Sequence, residues 1–138
     1  MYKFDKNIIK GLFMSEFFEL RKYQVFPGKM FQWLELMENT IIPFQVSKGM
    51  IIHGSFTEIS YDRFYLNNGK REMETLKNRN LYFWIRRFKN IDHRKTLYKK
   101  VYESEEWVKS IAPIVETLID RNTIVVHNIS PTALSIMK

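Results

Sequence analysis

No cysteine occurs in the 138 residues of this chain. Disulfides, thiolate metal sites and a cysteine nucleophile are therefore excluded, and the chain suits a reducing compartment such as the cytoplasm. Long apolar runs are also missing: nothing approaches the roughly 20 residues of a membrane span. Near the start, Lys10 and Gly11 interrupt the short Ile8-Ile9 run and no small-residue cleavage site follows, so a secretory signal is not expected. No H-x-x-x-H, P-loop, G-x-G-x-x-G or G-x-S-x-G pattern appears. Local sequence thus offers no preformed zinc site, phosphate loop or nucleophile elbow. Acidic residues are scarce in one place. From Lys70 to Lys100 eleven basic residues stand against three acids, which accounts for the whole net charge of +7. Such a region can attract nucleic acid, anionic lipid or acidic ligands. The aromatics beside it read as strand core and not as stacking platforms. It is read as a solvated face, and nucleic acid is not an expected partner.

What is present is globular. Hydrophobic residues make up 45% and charged residues 27%, a balance that builds a core and keeps a polar surface. Aromatics reach 15%, enough to supply both core and pocket walls. The length favours one domain, placed at 15–138 behind a loose extension over 1–14.

The first strand is expected from Ser15 to Phe26. Pro27-Gly28 ends it and opens a helix, because proline suits a helix entrance. Met30, Trp33, Leu34, Met37, Ile41 and Phe44 recur at three and four residues and form one buried stripe; Pro43 weakens its last turn. Lys48-Gly49 turns into a second strand, Met50 to Ile59, in which Gly54 signals a bulge or a close approach. An insertion is expected over about 61–80. Its Asn67-Asn68-Gly69 closes a hairpin, or Glu72 to Leu76 forms a helical turn. The third strand is Leu81 to Phe88. Asp92 is the expected N-cap of a short helix carrying Leu97, Tyr98, Val101 and Tyr102. Ser104 starts another helical piece, with Trp107, Ile111, Ile114, Val115 and Leu118 buried and Pro113 bending it. The fourth strand runs from Asn122 to Ile129.

The order β-α-β-β-α-β predicts an α+β fold of the ferredoxin-like kind: a four-stranded antiparallel sheet with helices on one face. Side chains alternate along a strand, so Glu19, Arg21 and Tyr23 share one face of the first strand, and Trp84, Arg86 and Phe88 share one face of the third. Both sets are assigned to the helix-free face. Large aromatics there need cover, and a second sheet packed against them predicts a homodimer enclosing a polar cavity.

The chain also resembles NIPSNAP-family domains. The resemblance rests on an ordered set spanning Ser15 to Pro131: Glu19-Leu20-Arg21-x-Tyr23, Pro27-Gly28, Lys48-Gly49-Met50 with Gly54-x-Phe56, Phe83-Trp84-Ile85-Arg86-x-Phe88, Arg94 and Trp107. It implies a dimeric α/β barrel, with a pocket between sheet and helices or inside the barrel. Proteins sharing that fold include cofactor-independent monooxygenases and haem-degrading enzymes, and NIPSNAP biochemistry is mostly unassigned. The insertion and the basic region are departures from the pattern.

The ligand-pocket candidates are Glu19, Arg21, Tyr23, Phe56, Trp84, Arg86 and Phe88. Glu19 and Arg21 offset each other's burial as a structural pair, or Arg21 holds a ligand carboxylate or phosphate. Arg86 beside Trp84 and Phe88 suits a flat anionic or aromatic ligand. Of the histidines, His93 is expected to be exposed and His53 to pack toward a helix. His53 and His127 are the candidates for haem ligation or acid–base work. No metal or cofactor is expected. The functional reading is a homodimer binding a small molecule. The alternatives are a monooxygenase-like or haem-binding enzyme, and an interaction protein using the basic 70–100 region.

Overall fold

A computed structural model describes residues 15–59, 62–75 and 80–138. The extension expected over 1–14 lies outside the described residues, as do positions 60, 61 and 76–79 of the expected insertion. The order is β1 (Phe17–Val25), α1 (30–47), β2 (Ile51–Thr57), β3 (Asp62–Asn67), β4 (Lys70–Thr75), β5 (Asn80–Phe88), α2 (Ile91–Tyr102), α3 (107–118) and β6 (Ile119–Ile129). Four strands form one antiparallel sheet in the order β2-β5-β1-β6. With β3 and β4 set aside, this is the ferredoxin-like β-α-β-β-α-β arrangement.

β3 and β4 form a separate two-stranded hairpin. Its turn residues Asn68 and Gly69 have φ of 50° and 76°, as a two-residue turn matching the strand twist requires. The hairpin reading is therefore correct. The alternative helical turn is not: the described part of that stretch is strand.

Both long helices meet a proline in the same way. The ring nitrogen of Pro43 cannot donate to the carbonyl four residues back. The preceding residue reaches further instead: the Ile42 N–H donates to the Met37 carbonyl, closing a π turn over Met37–Ile41. Before Pro113, the Ala112 N–H donates to the Trp107 carbonyl over Trp107–Ile111. So Pro43 does not end its helix; a widened turn carries the helix past it. α1 stops at Gly49, which takes φ +104°. The Gly49 N–H donates to the Val46 carbonyl at 3.0 Å and the Met50 N–H to the Gln45 carbonyl at 2.9 Å. This is a Schellman C-cap.

Two boundaries differ from expectation. The N-cap of α2 is Asn90, whose side-chain oxygen accepts the His93 N–H at 2.7 Å, and Asp92 sits in the first turn. β6 begins at Ile119, directly after α3, three residues before Asn122.

The larger correction concerns the faces. Cross-strand register sets Glu19 opposite Arg86, Arg21 opposite Trp84 and Phe17 opposite Phe88, so the two sets of residues do share one face. That face lies under the helices: Trp84 is 2% exposed, and Arg86 and Phe88 are 0% exposed. Alternation separates two faces but does not say which one the helices take. The polar residues are inside because they bond one another and groups from the helices. The helix-free face carries Phe18, Leu20, Phe83 and Ile85 in its middle, by the same register. Lys22 and Arg87 stand on the same face, so its middle is apolar and basic residues flank it.

Candidate functional site

Glu19 is the centre of a buried cluster of charge between the sheet and α2. One carboxylate oxygen accepts from Arg86 Nη2 at 2.7 Å and Nε at 3.2 Å, and from Arg21 Nη1 at 3.4 Å. The other accepts from Arg94 Nη1 at 3.2 Å and from the Tyr98 hydroxyl. Burial opposes the charge on this carboxyl. Arg86, Tyr98 and Arg21 outweigh it and hold Glu19 below the ordinary carboxylate value. The structure therefore favours a structural role for Glu19, with Arg86 as its main partner in place of Arg21.

The two inward arginines differ in one decisive respect. A guanidinium has five N–H groups. In Arg86 all five are used: Nε and Nη2 on Glu19, Nη2 also on Tyr98, and Nη1 on the Gln45 side-chain oxygen at 2.9 Å and the Tyr102 hydroxyl at 2.6 Å. In Arg21, Nε donates to the Tyr23 hydroxyl at 2.7 Å and Nη1 reaches Glu19 and the Tyr98 hydroxyl. Its Nη2 has no hydrogen-bond partner among the described residues. Burial works against the charge on Arg21, and the neighbouring Tyr23, Tyr102 and Glu19 outweigh that, so the guanidinium stays protonated.

Arg21 borders a cavity of about 350 Å³ between the sheet and helices α1 and α3. This is a size at the lower end of ligand sites, ~300–1,000 Å³. Tyr23, Trp84 and Ile119 form the sheet side, and Trp33, Met37, Ile41 and Gln45 come from α1. Tyr102 closes one end, and Trp107, Ala112 and Val115 come from α3. Every tryptophan of the chain lines this space. The π turns matter here, because Met37, Ile41 and Trp107 belong to them; π turns recur at functional sites.

Of the pocket candidates, Arg21, Tyr23 and Trp84 border the cavity. Glu19 and Arg86 lie beside it in the charge cluster, and Phe88 packs on Phe17 at 5.5 Å between ring centres. Phe56 belongs to the opposite face. It pairs with Phe83 across a bulge at His53, is 52% exposed, and lays its ring over Gly54. Gly54 thus shows both features its sequence position suggested. The bulge also corrects His53. The extra residue breaks the alternation between His53 and Phe56, so both lie on the helix-free face, with the His53 ring 5.2 Å from that of Phe18 and not toward a helix. His127 is exposed on β6, and no histidine borders the cavity. His93 is half-buried, its Nδ1 accepting the Lys89 N–H at 3.1 Å. Among the described residues no cluster of His, Asp and Glu suits a metal ion.

Sequence reading missed Gln45, Tyr98, Tyr102 and Arg121. A signal existed for two of them. Tyr98 and Tyr102 are four apart on the buried stripe of α2, and a buried phenol needs a partner. Gln45 carries none, since it lies next to a stripe that ends in Phe44.

No protein-family model matches the chain, and no curated protein matches it. Solved structures do. A NIPSNAP family protein of unknown function from Agrobacterium tumefaciens superposes with a TM-score of 0.69 at 20% identity, over 91% of this chain and 96% of that one. An uncharacterized NIPSNAP-like domain protein from Burkholderia xenovorans gives 0.64 at 16% identity, over 88% and 90%. A second Agrobacterium tumefaciens NIPSNAP family protein gives 0.60 at 20% identity, over 88% and 90%. With the sheet order and the inserted hairpin described above, the chain has the ferredoxin-like α+β fold of these NIPSNAP-family structures.

Proposed function

We propose that this chain is a NIPSNAP-like protein that acts as a homodimer and binds a small molecule, anionic or aromatic, in the cavity between its sheet and helices. The observation that carries the reading is Arg21. It is a protonated guanidinium bordering a tryptophan-walled cavity, with one nitrogen free of any partner among the described residues. Arg86, with every N–H used inside the protein, holds the wall and does not meet the ligand. The apolar middle of the helix-free face, Leu20, Phe83 and Ile85 between Lys22 and Arg87, supports pairing of two sheets, since a solvent-facing strand would bring polar residues to those three positions.

The test is a thermal-shift screen of the wild-type protein against small organic anions and aromatics. A ligand that raises the melting temperature of the wild type and leaves Arg21→Met unshifted is the expected outcome. A wild type that responds to no compound removes the ligand site from the proposal.

A further inference from the structure

Resting on the reading of the cavity as a ligand site, the hydrogen-bonding inventory of its walls points to one ligand class: we infer that the cavity takes a monocarboxylate on an apolar body. Nearly all the unused polar capacity around the cavity consists of donors. Arg21 Nη2 has no partner among the described residues. The indole N–H groups of Trp33 and Trp84 also have no partner among the described residues, but they are sealed from the cavity, which meets only their rings. The Tyr102 hydroxyl already accepts twice, from Arg86 Nη1 at 2.6 Å and from Gln45 Nε2 at 3.4 Å, so its proton is free to donate. Tyr23 accepts from Arg21 Nε, which leaves its proton free as well. Unpartnered buried donors are costly, and a ligand that brings acceptors and no donors relieves that cost.

Charge narrows the class further. Among the described residues Glu19 is the only carboxylate within the cluster, and three guanidiniums share it: Arg86, Arg21 and Arg94. An anion beside Arg21 answers that excess. Arg121, also on the cavity border, is largely exposed, with its pair to the Glu116 carboxylate at 2.7 Å in solvent. Arg21, part-buried and with Nη2 unbonded among the described residues, is the anchor inside the cavity, which fits a ligand with a single negative group. The remaining wall is Met37, Ile41, Val115, Ile119 and Ile124 with the indole rings. That surface fits a ring or an alkyl chain and gives a second polar group nothing to bond.

All three tryptophans line the site, so their emission reports on it. The probes are phenylalkanoates of increasing chain length, the matching primary amides, the matching amines and inorganic phosphate, titrated into the wild-type protein. Carboxylates of fitting length should shift tryptophan emission saturably. The amides, which have the same shape without the charge, should bind about tenfold more weakly or worse, the factor expected for a hydrogen bond to a charged group. Amines and phosphate should not bind in the cavity. Arg21→Met should bring the carboxylate down to the affinity of its amide, and a melt followed by circular dichroism shows whether that variant is folded. The carboxylate-to-amide comparison needs no variant, so it stands even if Arg21→Met does not fold. Equal binding of amide and carboxylate overturns this inference and leaves the ligand site intact. Silence of every probe, charged and neutral, overturns both.

Discussion

At the residue scale the cluster around Glu19 governs stability. A carboxylate without exposure to water, held by three guanidiniums and a phenol, costs little while its partners remain and much when it is removed. Glu19→Gln leaves Arg86 and Arg21 facing each other under the helices without a counter-charge. Denaturant unfolding should show a loss of about 3–5 kcal/mol. The same groups set the pH dependence. In the folded protein Glu19 is held below the ordinary carboxyl value of 4.5. The unfolded chain therefore takes up the proton first as pH falls. The contribution from Glu19 is complete above that ordinary value and is lost as pH falls through the lower folded one. Tyr98 and Tyr82 act at the other end. Burial pushes both phenols up from 10 to about 12. Their contribution is complete below pH 10 and drains away as pH rises from 10 to 12, because the unfolded chain then releases the proton first. Thermal melts across pH should lose temperature on both sides, and a near-ultraviolet titration should show three tyrosines, Tyr23, Tyr82 and Tyr98, ionising late.

At the scale of elements, the ends and turns of helices place the site. Gly49 stops α1 in a left-handed conformation and fixes the turn that ends with Gln45 inside. A β-carbon at Gly49 would meet Leu97 Cδ2 at 3.2 Å and would also have to adopt φ +104°. Gly49→Ala should cost about 1–3 kcal/mol, measured by chemical denaturation. The effect should exceed that of Gly54→Ala, where the clash is with the far end of the half-exposed Phe56 ring, which has solvent to move into. The two prolines show why local rules gave the helices but not their shape. Pro43 and Pro113 signal an interrupted hydrogen-bond ladder. Whether the chain ends, bends or widens there depends on what the following residues bury. Here Phe44 and Val115 are buried beyond the prolines, so continuing the helix in a π turn wins.

At the scale of the whole molecule the helix-free sheet face, apolar in its middle, calls for cover. Leu20, Phe83 and Ile85 sit in its middle with Ile51, Phe56 and Val125 around them, the last three at 38%, 52% and 37% exposure. Pairing of two such faces would cover them. Sedimentation of the wild type at micromolar concentration should give a dimer, and Ile85→Glu should give a folded monomer, because the Ile85 side chain faces away from the helices and from the charge cluster on the other side of the sheet. A wild type that sediments as a monomer rules out the paired sheets. Among the described residues, the basic side chains of the 70–100 region do not form one face. Arg86 is in the core, Arg94 is bound to Glu19 and Asn128, and Lys95, Lys99 and Lys100 are on the outside of α2.

The sequence by itself determined the element order, the class of fold and the grouping of Glu19, Arg21 and Tyr23 with Trp84, Arg86 and Phe88 on one side of the sheet. Those follow from periods of 2 and 3.6 residues and from glycine and proline, which act locally. Only the tertiary structure decided which side the helices cover, and it reversed the expected answer. Burial of a charge depends on partners far away in the chain: Gln45, Tyr98 and Tyr102 complete Arg86 across separations of 41, 12 and 16 residues. No local pattern carries that sum. The same long-range count of donors and acceptors separates Arg86, which has no N–H to offer, from Arg21, which has.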